Sequence, residues 1–390
     1  MGQSIASTRG PSDMRIFYAA GRRPNNALPG SDIWRRNLYM ALVDLGHDVV
    51  ELDFDLTPYY RHTDLRHSVD VEFVARHQGR LETALLQQIS RAHAQQPLDL
   101  FFSYFYSTFA RREVIQSIAD MGIVTANWYC NASYQFDLVR DIAPAYSYSL
   151  VPEAFRLEDY RAVGARPIYC QEAANPNWYK PYDLPHDYDI TFVGAAYGDR
   201  PDYLRALLSG GLDARAWGPG WSDLALLRAA AARSRRALGQ VKRRVLGRPL
   251  HPPVLRNPPR LPRRACGGVL SDNEMVAMFS RSRICLGFSS VGSTAFSPAP
   301  IRQVRLRDFE APMAGAFYML EYLPEIERFF APGKEIVCFE SPDELVEKAR
   351  YYLCHEDERE AIRRAGHERA MRDHTWQKRL TDAFADMGLG

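Results

Sequence analysis

The chain has 390 residues, of which 46% are hydrophobic and 25% are charged, and its formal net charge at pH 7 is +2. This length exceeds what one ordinary hydrophobic core holds, so it predicts two domains of about 150 to 200 residues each. The composition is that of an ordinary globular protein. The near-neutral charge favours no particular class of partner.

The cysteine and apolar patterns exclude several classes of protein. None of the six cysteines has C-x-x-C spacing or accompanies a histidine cluster, which excludes the common zinc and redox motifs. Scattered thiols are typical of a reducing compartment, so we expect a cytoplasmic protein. No apolar run reaches the length of about 20 residues that a membrane span needs. Residues 1–13 lack the apolar core of a secretory signal and are interpreted as a flexible tail.

The first domain is predicted to cover residues 14–172 and to alternate strands with helices. A buried strand at 14–20 precedes a polar loop and a helix that begins near Ser31 and ends at Gly46. The apolar residues of this helix recur at helical spacing. Further strands are predicted at 47–52, 98–103, 123–128, 146–150 and 167–170, with helices at 81–94 and 112–121. Such an order implies right-handed parallel crossovers and a doubly wound sheet.

A second α/β domain is predicted at residues 190–370, after a hinge at 173–189 that is rich in Pro, Asn and Tyr. Its strands are predicted at 190–193, 213–217, 284–288, 316–320 and 336–339. Its helices are predicted at 201–209, 272–281, 308–314 and 343–353, with final helical segments at 356–371 and 375–387.

A strongly basic insertion interrupts the second domain at about residues 224–264. It contains no Asp or Glu and has twelve basic residues between 228 and 264. Three interpretations remain open. The segment is a solvated insertion, a docking surface for a phosphate-bearing or acidic acceptor, or a contact with an anionic membrane or, less favoured, nucleic acid.

The most informative motif is RDFEAPMAGAF at residues 307–317. It predicts a short helix that acidic residues open and that Gly315 closes as a left-handed C-cap, followed by a strand. Glu310 is expected in the first turn of that helix, beside free N–H groups and the positive end of the helix dipole. A carboxylate there can hold a ribose diol while the helix end faces a diphosphate.

This motif resembles the C-terminal domain of GT-B glycosyltransferases, most closely the CgeB-like group, which is related to retaining glycosyltransferase family 4. The resemblance continues through FFAPGKEIV at 329–337 and SPDEL at 341–345, with earlier matches at DITFVG (189–194) and AWGPGW (216–221). It implies two Rossmann-like domains that face each other across a cleft. It also implies that the final helix, residues 371–390, crosses back to the first domain.

The resemblance also implies site residues for a nucleotide-sugar donor. Glu310 would bind the ribose, and Arg307 and Arg200 would stabilise the departing diphosphate, with Arg302 and Arg305 as weaker candidates. Relatives often carry a second Glu eight positions before the first, where this chain has Arg302. The further candidates for substrate binding lie on loops that follow strands: Gly21, Asn25, Asn131, Gly194, Gly198, Ser293 and Thr294.

The sequence does not identify a general base or a metal site. An inverting enzyme would need a base near the acceptor, for which Asp137 and His47 are possible, whereas His47 otherwise only precedes the second strand. The D-x-D match at residues 53–55 follows a strand of the first domain and is interpreted as a loop. We therefore expect a metal-independent glycosyltransferase without a cofactor. The alternatives are a nucleotide-sugar epimerase of the same fold and a glycosyltransferase-like binding protein without activity.

Overall fold

The computed structural model describes residues 13–21, 31–221, 261–292, 294–295 and 297–389. These residues form two compact units. The first comprises Met1–Tyr179, Gln303–Glu310 and Ala370–Gly390, and the second comprises Lys180–Arg302 and Ala311–Arg369. Residues 222–260, which include most of the predicted basic insertion, and all but the last residue of the predicted tail lie outside the described residues.

The division into units differs from the predicted domain boundaries at residues 303–310, which the sequence had placed in the second domain. Three side chains of this segment contact the first unit. Gln303 bonds to the Ser133 hydroxyl, and the ring of Phe309 lies 5.4 Å from that of His374. The carboxylate of Glu310 is 3.4 Å from Asn37 Nδ2. Residues 303–310 therefore pack with the first unit although they precede a strand of the second.

The first unit contains a six-stranded sheet in which all neighbouring strands are parallel, in the order β2-β1-β3-β4-β5-β6. All five residues of the first strand are buried, as expected for a sheet covered on both faces. The doubly wound arrangement predicted from the sequence is confirmed. The strands are β1 (Arg15–Ala19), β2 (Asp48–Glu51), β3 (Leu100–Ser103), β4 (Val124–Trp128), β5 (Tyr148–Val151) and β6 (Pro167–Tyr169).

Helices of the first unit follow the strands in alternation. The first consists of a π-helical turn, Arg35–Tyr39, and α1 (Met40–Asp44), and it buries Trp34, Leu38 and Leu42. The last helix of the chain packs on the same unit, with Trp376 against Trp128 at 5.3 Å between ring centroids. The others are α2 (Ser68–Gln95), α3 (Arg112–Ala119), α4 (Ala132–Gln135) and α5 (Leu157–Ala162).

The second unit contains a five-stranded parallel sheet in the order β11-β10-β9-β7-β8. Its strands are β7 (Tyr188–Val193), β8 (Ala214–Trp217), β9 (Ser282–Gly287), β10 (Tyr318–Glu321) and β11 (Val337–Phe339). The strand order reverses between β7 and β9, and open α/β sheets bind ligands at the carboxyl ends of strands beside such a reversal. The remaining helices are α6 (Arg200–Ser209), α7 (Asp272–Ser280), α8 (Leu306–Met313), α9 (Pro342–Cys354), α10 (Glu356–Asp373) and α11 (Trp376–Asp386).

Gly315 ends helix α8 in the way the sequence predicts. Its φ is +74°, its N–H bonds to Pro312 O, and the N–H of Ala316 bonds to Ala311 O. These two bonds form a Schellman motif, which requires a left-handed residue at the position of Gly315.

Gly315→Ala is expected to lower the free energy of unfolding by about 1–2 kcal/mol, because an L side chain is strained in this conformation. A Cβ here would also lie 2.8 Å from Pro181 Cγ. Chemical denaturation measures the change. Gly79→Ala is the matched control, because Gly79 lies inside α2 and, apart from its chain neighbours and the local helix backbone, no atom lies within 4 Å of the position that its Cβ would occupy. That variant is expected to be stabilised by about 0.5–1 kcal/mol. Equal effects in the two variants would contradict the prediction.

Within the described residues, no helix combines the length and the apolar character that are needed to cross a membrane.

Candidate functional site

Helix α8 carries Arg307 and Glu310, but Glu310 does not lie in its first turn as predicted. The helix begins at Leu306, and Asp308 is the acid of the first turn. The Asp308 carboxylate accepts a hydrogen bond from the Arg305 N–H at 2.8 Å, which caps the helix two residues earlier than expected. Glu310 is therefore in the second turn, beyond the free N–H groups, and its predicted position in the first turn is wrong.

The Glu310 carboxylate is wholly buried and lies among side chains of its own compact unit. Arg307 Nη1 is 2.8 Å from Oε2, and Asn37 Nδ2 is 3.4 Å from Oε1. Burial raises the pKa of Tyr179, and the neighbouring Glu310 raises it further, so this hydroxyl stays neutral and can donate to the carboxylate. Glu310 thus orients the Arg307 guanidinium, whose side chain is 20% exposed. Its contact with a ribose stays a prediction.

Asn37 belongs to this group of side chains, and the sequence reasoning missed it. It is wholly buried within the π-helical turn. Its Nδ2 also donates to Ile33 O at 3.0 Å and to the Tyr179 hydroxyl at 3.2 Å, and its Oδ1 accepts the Asn175 N–H at 3.1 Å. π-Turns are frequent at functional sites. The only local signal was an amide side chain on the apolar face of the predicted helix.

Buried carboxyl groups gather at the carboxyl edge of the first sheet. Glu153 follows β5 and Glu172 follows β6, and the two are 3% and 6% exposed. Burial raises the pKa of Glu172 well above its usual range. The charges of Glu153, Asp308 and Glu310 raise this pKa further, whereas Arg305 lowers it. Glu172 therefore favours its protonated form in the folded protein.

Glu172→Gln is expected to stabilise the protein increasingly as the pH rises. The raised folded pKa means that the unfolded chain loses this proton first, so ionisation favours unfolding between the ordinary and the raised pKa. Below the ordinary pKa, both states hold the proton and the amide offers no advantage. Melting temperatures of both proteins from about pH 4 to about pH 8 measure this difference in stability between the variant and the wild type.

The control for this comparison is Glu158→Gln, because the Glu158 side chain is 83% exposed. The difference in melting temperature between Glu158→Gln and the wild type is expected to vary little with pH. A Glu172→Gln protein that is less stable than the wild type at the alkaline end would contradict the assignment.

The candidate residues for the acceptor side occupy different places on the first unit. Asn131 follows β4, and its Oδ1 accepts the Tyr134 hydroxyl at 3.2 Å. Asp137 is 62% exposed and lies 3.5 Å from Arg66 Nη1. His47 precedes β2 at the amino edge of the sheet, where its Nδ1 accepts the Met14 N–H and burial lowers its pKa. That position favours a structural role for His47 and makes it unsuitable as a base at the carboxyl edge.

Gly21 follows β1 at the carboxyl edge of the first sheet. Its N–H donates to the Tyr60 hydroxyl at 3.0 Å, and a Cβ at this position would lie 2.4 Å from the Tyr60 ring. Close approach of the ring therefore explains the glycine without a ligand. Asn25 lies outside the described residues.

The loop after β7 carries three candidates, and its polar groups bond mainly within the second unit. The N–H of Gly194 donates to Trp217 O at 2.8 Å, so it is already used. Gly198 has a φ of +60° and packs close to Ala295. The Arg200 side chain is 5% exposed, stacks 3.7 Å from the centroid of the Tyr197 ring and donates to Ala195 O.

The loop after β9 packs against the loop after β7, at the reversal in strand order. A Cβ on Gly292 would lie 2.1 Å from the Tyr197 ring. The Thr294 hydroxyl donates to Val291 O and accepts the Ile301 N–H, both at 3.0 Å, so it closes its own loop. Ser293 lies outside the described residues.

Among the described residues, no group of three His, Cys, Asp or Glu side chains is arranged to hold a metal ion. Asp55, of the D-x-D match at residues 53–55, accepts the Thr57 N–H at 2.9 Å in a turn. This contact agrees with the interpretation of residues 53–55 as a loop.

The predicted site residues thus form two groups, and each group belongs to one of the two compact units. Arg305, Arg307 and Glu310 lie within one stretch at the start of α8, beside the carboxyl edge of the first sheet. Gly194, Gly198, Arg200 and Thr294 lie on the two loops at the carboxyl edge of the second sheet.

Comparisons with known proteins support a glycosyltransferase architecture. Residues 200–385 match the protein family described as Glycosyl transferase-like. No curated protein matches the sequence.

Solved structures share the architecture at low sequence identity. Sucrose-phosphate synthase from Thermosynechococcus elongatus is 15% identical, with a TM-score of 0.56 over 96% of this chain and 99% of that one. HepE from Anabaena, solved with UDP and glucose, is 10% identical, with a TM-score of 0.56 over the same shares. A putative UDP-N-acetylglucosamine 2-epimerase from Listeria monocytogenes is 11% identical, with a TM-score of 0.51 over 97% and 98%. The chain therefore has the GT-B fold.

Proposed function

We propose that this chain is a glycosyltransferase that moves a sugar from a nucleotide-diphosphate sugar to a hydroxyl or amine acceptor without a metal ion. The observation that carries the proposal is the match of residues 200–385 to the glycosyl transferase-like family. The fold alone is insufficient support, because one fold hosts several activities. The ion pair of Arg307 and Glu310 lies inside the matched segment.

In the proposed reaction, the bond between the anomeric carbon and the diphosphate oxygen breaks as the acceptor oxygen or nitrogen bonds to that carbon. Negative charge accumulates on the departing diphosphate. A preorganised guanidinium neutralises such charge with two parallel hydrogen bonds. We assign this role to Arg307, which Glu310 holds at 2.8 Å. Arg305 adds positive charge to the same segment, whereas the ribose contact of Glu310 and the diphosphate contact of Arg200 stay predictions.

The proposed donor is a uridine nucleotide sugar. HepE shares the fold, and its structure in complex with UDP-glucose superposes on this chain with a TM-score of 0.54. We further propose that the first domain supplies the acceptor site, with Gly21, Asn25 and Asn131 beside it. In a retaining reaction the leaving phosphate accepts the proton of the acceptor, so no protein base is required. The relation to the CgeB-like group, the retaining outcome, the cytoplasmic location and peripheral contact with an anionic membrane stay predictions.

A nucleotide-sugar epimerase is the second candidate. The specific observation in its favour is the shared fold of the putative epimerase from Listeria monocytogenes. Epimerisation needs acid and base groups around the sugar. Glu172, with its raised pKa, is a carboxyl group of suitable character in the described part of the first unit.

Incubation with a panel of UDP-, GDP-, dTDP- and CMP-sugars, with and without EDTA, tests the proposal. Release of nucleotide at the same rate in both conditions is the expected result, and a UDP-sugar is expected to react fastest. A new sugar epimer without net nucleotide release would favour the epimerase. Thermal stabilisation by the donors without turnover would favour a binding protein and contradict the proposed activity.

A further inference from the structure

Glu321, the last residue of β10, is a wholly buried carboxylate that organises the loop after β9. Its Oε2 accepts the N–H groups of Ser289 and Ser290, each at 3.0 Å, and the Ser289 hydroxyl at 3.1 Å. Its Oε1 accepts the Ser290 hydroxyl at 2.8 Å. Four donors from two consecutive residues thus satisfy most of the hydrogen-bonding capacity of this carboxylate.

The same carboxylate fixes Arg302. Arg302 Nη2 lies 3.2 Å from Glu321 Oε1, and Nη1 donates to Tyr322 O at 3.1 Å. The Arg302 backbone also forms an antiparallel bridge with Ser290. Two contacts therefore hold the guanidinium in one orientation, while 37% of the side chain remains exposed.

This fixed guanidinium lies at the carboxyl edge of the second sheet, where ligands bind in open α/β sheets. The charges of this pair also act on two neighbouring titratable groups, Asp199 and Tyr203. Burial raises the pKa of Asp199, and the charge of Glu321 raises it further. The pKa of Tyr203 is raised by burial and by the charges of Glu321 and Asp199. The charge of Arg302 lowers the same pKa. Asp199 belongs to the loop after β7, so both loops at the reversal in strand order converge on the Arg302 and Glu321 pair.

The chemistry of the pair suits recognition of an oxyanion. A guanidinium has five N–H donors in a rigid fork, and two contacts leave others available to a second anion. The carboxylate that holds Arg302 already accepts four hydrogen bonds, so its charge is shared among several donors. Arg302 compensates the charge of the buried carboxylate, and 37% of its side chain stays accessible to a second anion.

We propose that Arg302, held by Glu321, binds an oxyanion of the donor. The oxyanion is either the diphosphate, common to all nucleotide sugars, or a carboxylate on the sugar of a nucleotide uronate. Glu321 acts as the positioning residue. The identity of the ligand as a nucleotide sugar rests on the proposed function, whereas the oxyanion site rests on the contacts above.

Calorimetric titration of the wild type and Arg302→Ala with pyrophosphate, UDP, UDP-glucose and UDP-glucuronate tests the site. The expected result is an increase in Kd of about 10- to 100-fold, because a hydrogen bond to a charged group is lost. A diphosphate contact predicts that all four ligands weaken together. A contact with a sugar carboxylate predicts that only UDP-glucuronate weakens. Arg302→Lys keeps the charge without the fork and is expected to recover only part of the affinity.

Arg283→Ala is the matched control. Arg283 lies on β9 near the amino edge of the same sheet, is 45% exposed and pairs with Asp189 at 3.4 Å. Its Kd values are expected to equal those of the wild type. If Arg302→Ala also binds all four ligands like the wild type, the inference is overturned while the proposed function stands. If pyrophosphate binding depends on Arg302 but no nucleotide sugar binds, the site stands and the proposed function fails. A wild type that binds none of the four overturns both.

Glu321→Gln tests the positioning role, because it keeps the size of the side chain and removes its charge. It is expected to weaken the same ligands as Arg302→Ala, and the double variant is expected to be no weaker than Arg302→Ala alone. A merely structural role would instead lower stability and weaken all ligands additively with Arg302→Ala. Arg302→Ala alone decides the binding claim if Glu321→Gln does not fold.

Discussion

Arg307→Ala is expected to slow nucleotide release from the preferred nucleotide sugar by about 10²- to 10³-fold, the cost of removing one preorganised donor from a developing negative charge. The reason is geometric. Arg307 Nη1 is already held 2.8 Å from the buried Glu310 carboxylate, so no reorganisation is needed as the diphosphate departs. Steady-state kinetics with the best donor of the panel measure the change, which is expected mainly in kcat because the charge develops in the transition state.

Two companion variants separate charge from orientation. Arg307→Lys keeps the charge but loses the bidentate fork, so an intermediate rate is expected. Glu310→Gln keeps the size of the side chain but removes the charge that orients Arg307, and it is expected to lower kcat as well. Arg283→Ala, at the amino edge of the second sheet, serves as the control with an unchanged rate. Folded Arg307→Ala protein with wild-type kinetics would refute the assignment of Arg307.

Trp376→Ala is expected to lower the free energy of unfolding by about 3–5 kcal/mol, the range for removing a buried large aromatic side chain. Trp376 is wholly buried and lies edge-on to Trp128, with 5.3 Å between ring centroids. The loss tests whether helix α11 is an integral part of the first unit. Urea denaturation followed by circular dichroism measures it.

The aromatic series on the same helix provides an internal check. The Trp376 indole N–H has no hydrogen-bond partner among the described residues, so Trp376→Phe removes an unsatisfied donor while it keeps most of the ring. It is therefore expected to cost much less than Trp376→Ala. Lys378→Ala, at a side chain that is 48% exposed, is expected to change stability by less than about 0.5 kcal/mol. A cost for Trp376→Ala no larger than for Lys378→Ala would exclude a stabilising role for α11.

The sequence predicted the architecture well because the evidence for strands and helices is local. The run of apolar residues at 14–20 has the signature of a strand covered on both faces, and the structure buries every residue of β1. Gly315 was identified as a C-cap for the same reason, since a single residue type suits the left-handed conformation.

The site was predicted less well because its contacts join distant parts of the chain. Asn37 reaches Glu310 from the first helix, and no local pattern links two residues so far apart. The start of α8 was misplaced because Asp308 caps the Arg305 N–H, a contact that depends on one side-chain rotamer. Arg200 follows a loop that suggested a phosphate contact, yet the ring of Tyr197 covers its guanidinium. Hydrogen bonding and aromatic stacking at this level follow from packing and not from spacing.

The exclusive use of parallel strands has a consequence for how the protein folds. No two neighbouring strands in either sheet are joined by a hairpin, so no part of a sheet can form from an adjacent stretch of chain. The pairing of Tyr188 with Ser282 joins β7 to β9 across the greatest chain separation of any neighbouring strands. Such contacts lose loop-closure entropy before strand pairing stabilises the chain, so they form slowly. Unpaired strand edges therefore stay exposed to aggregation for longer during folding. Recombinant production at low temperature or with chaperones should therefore raise the yield of native protein.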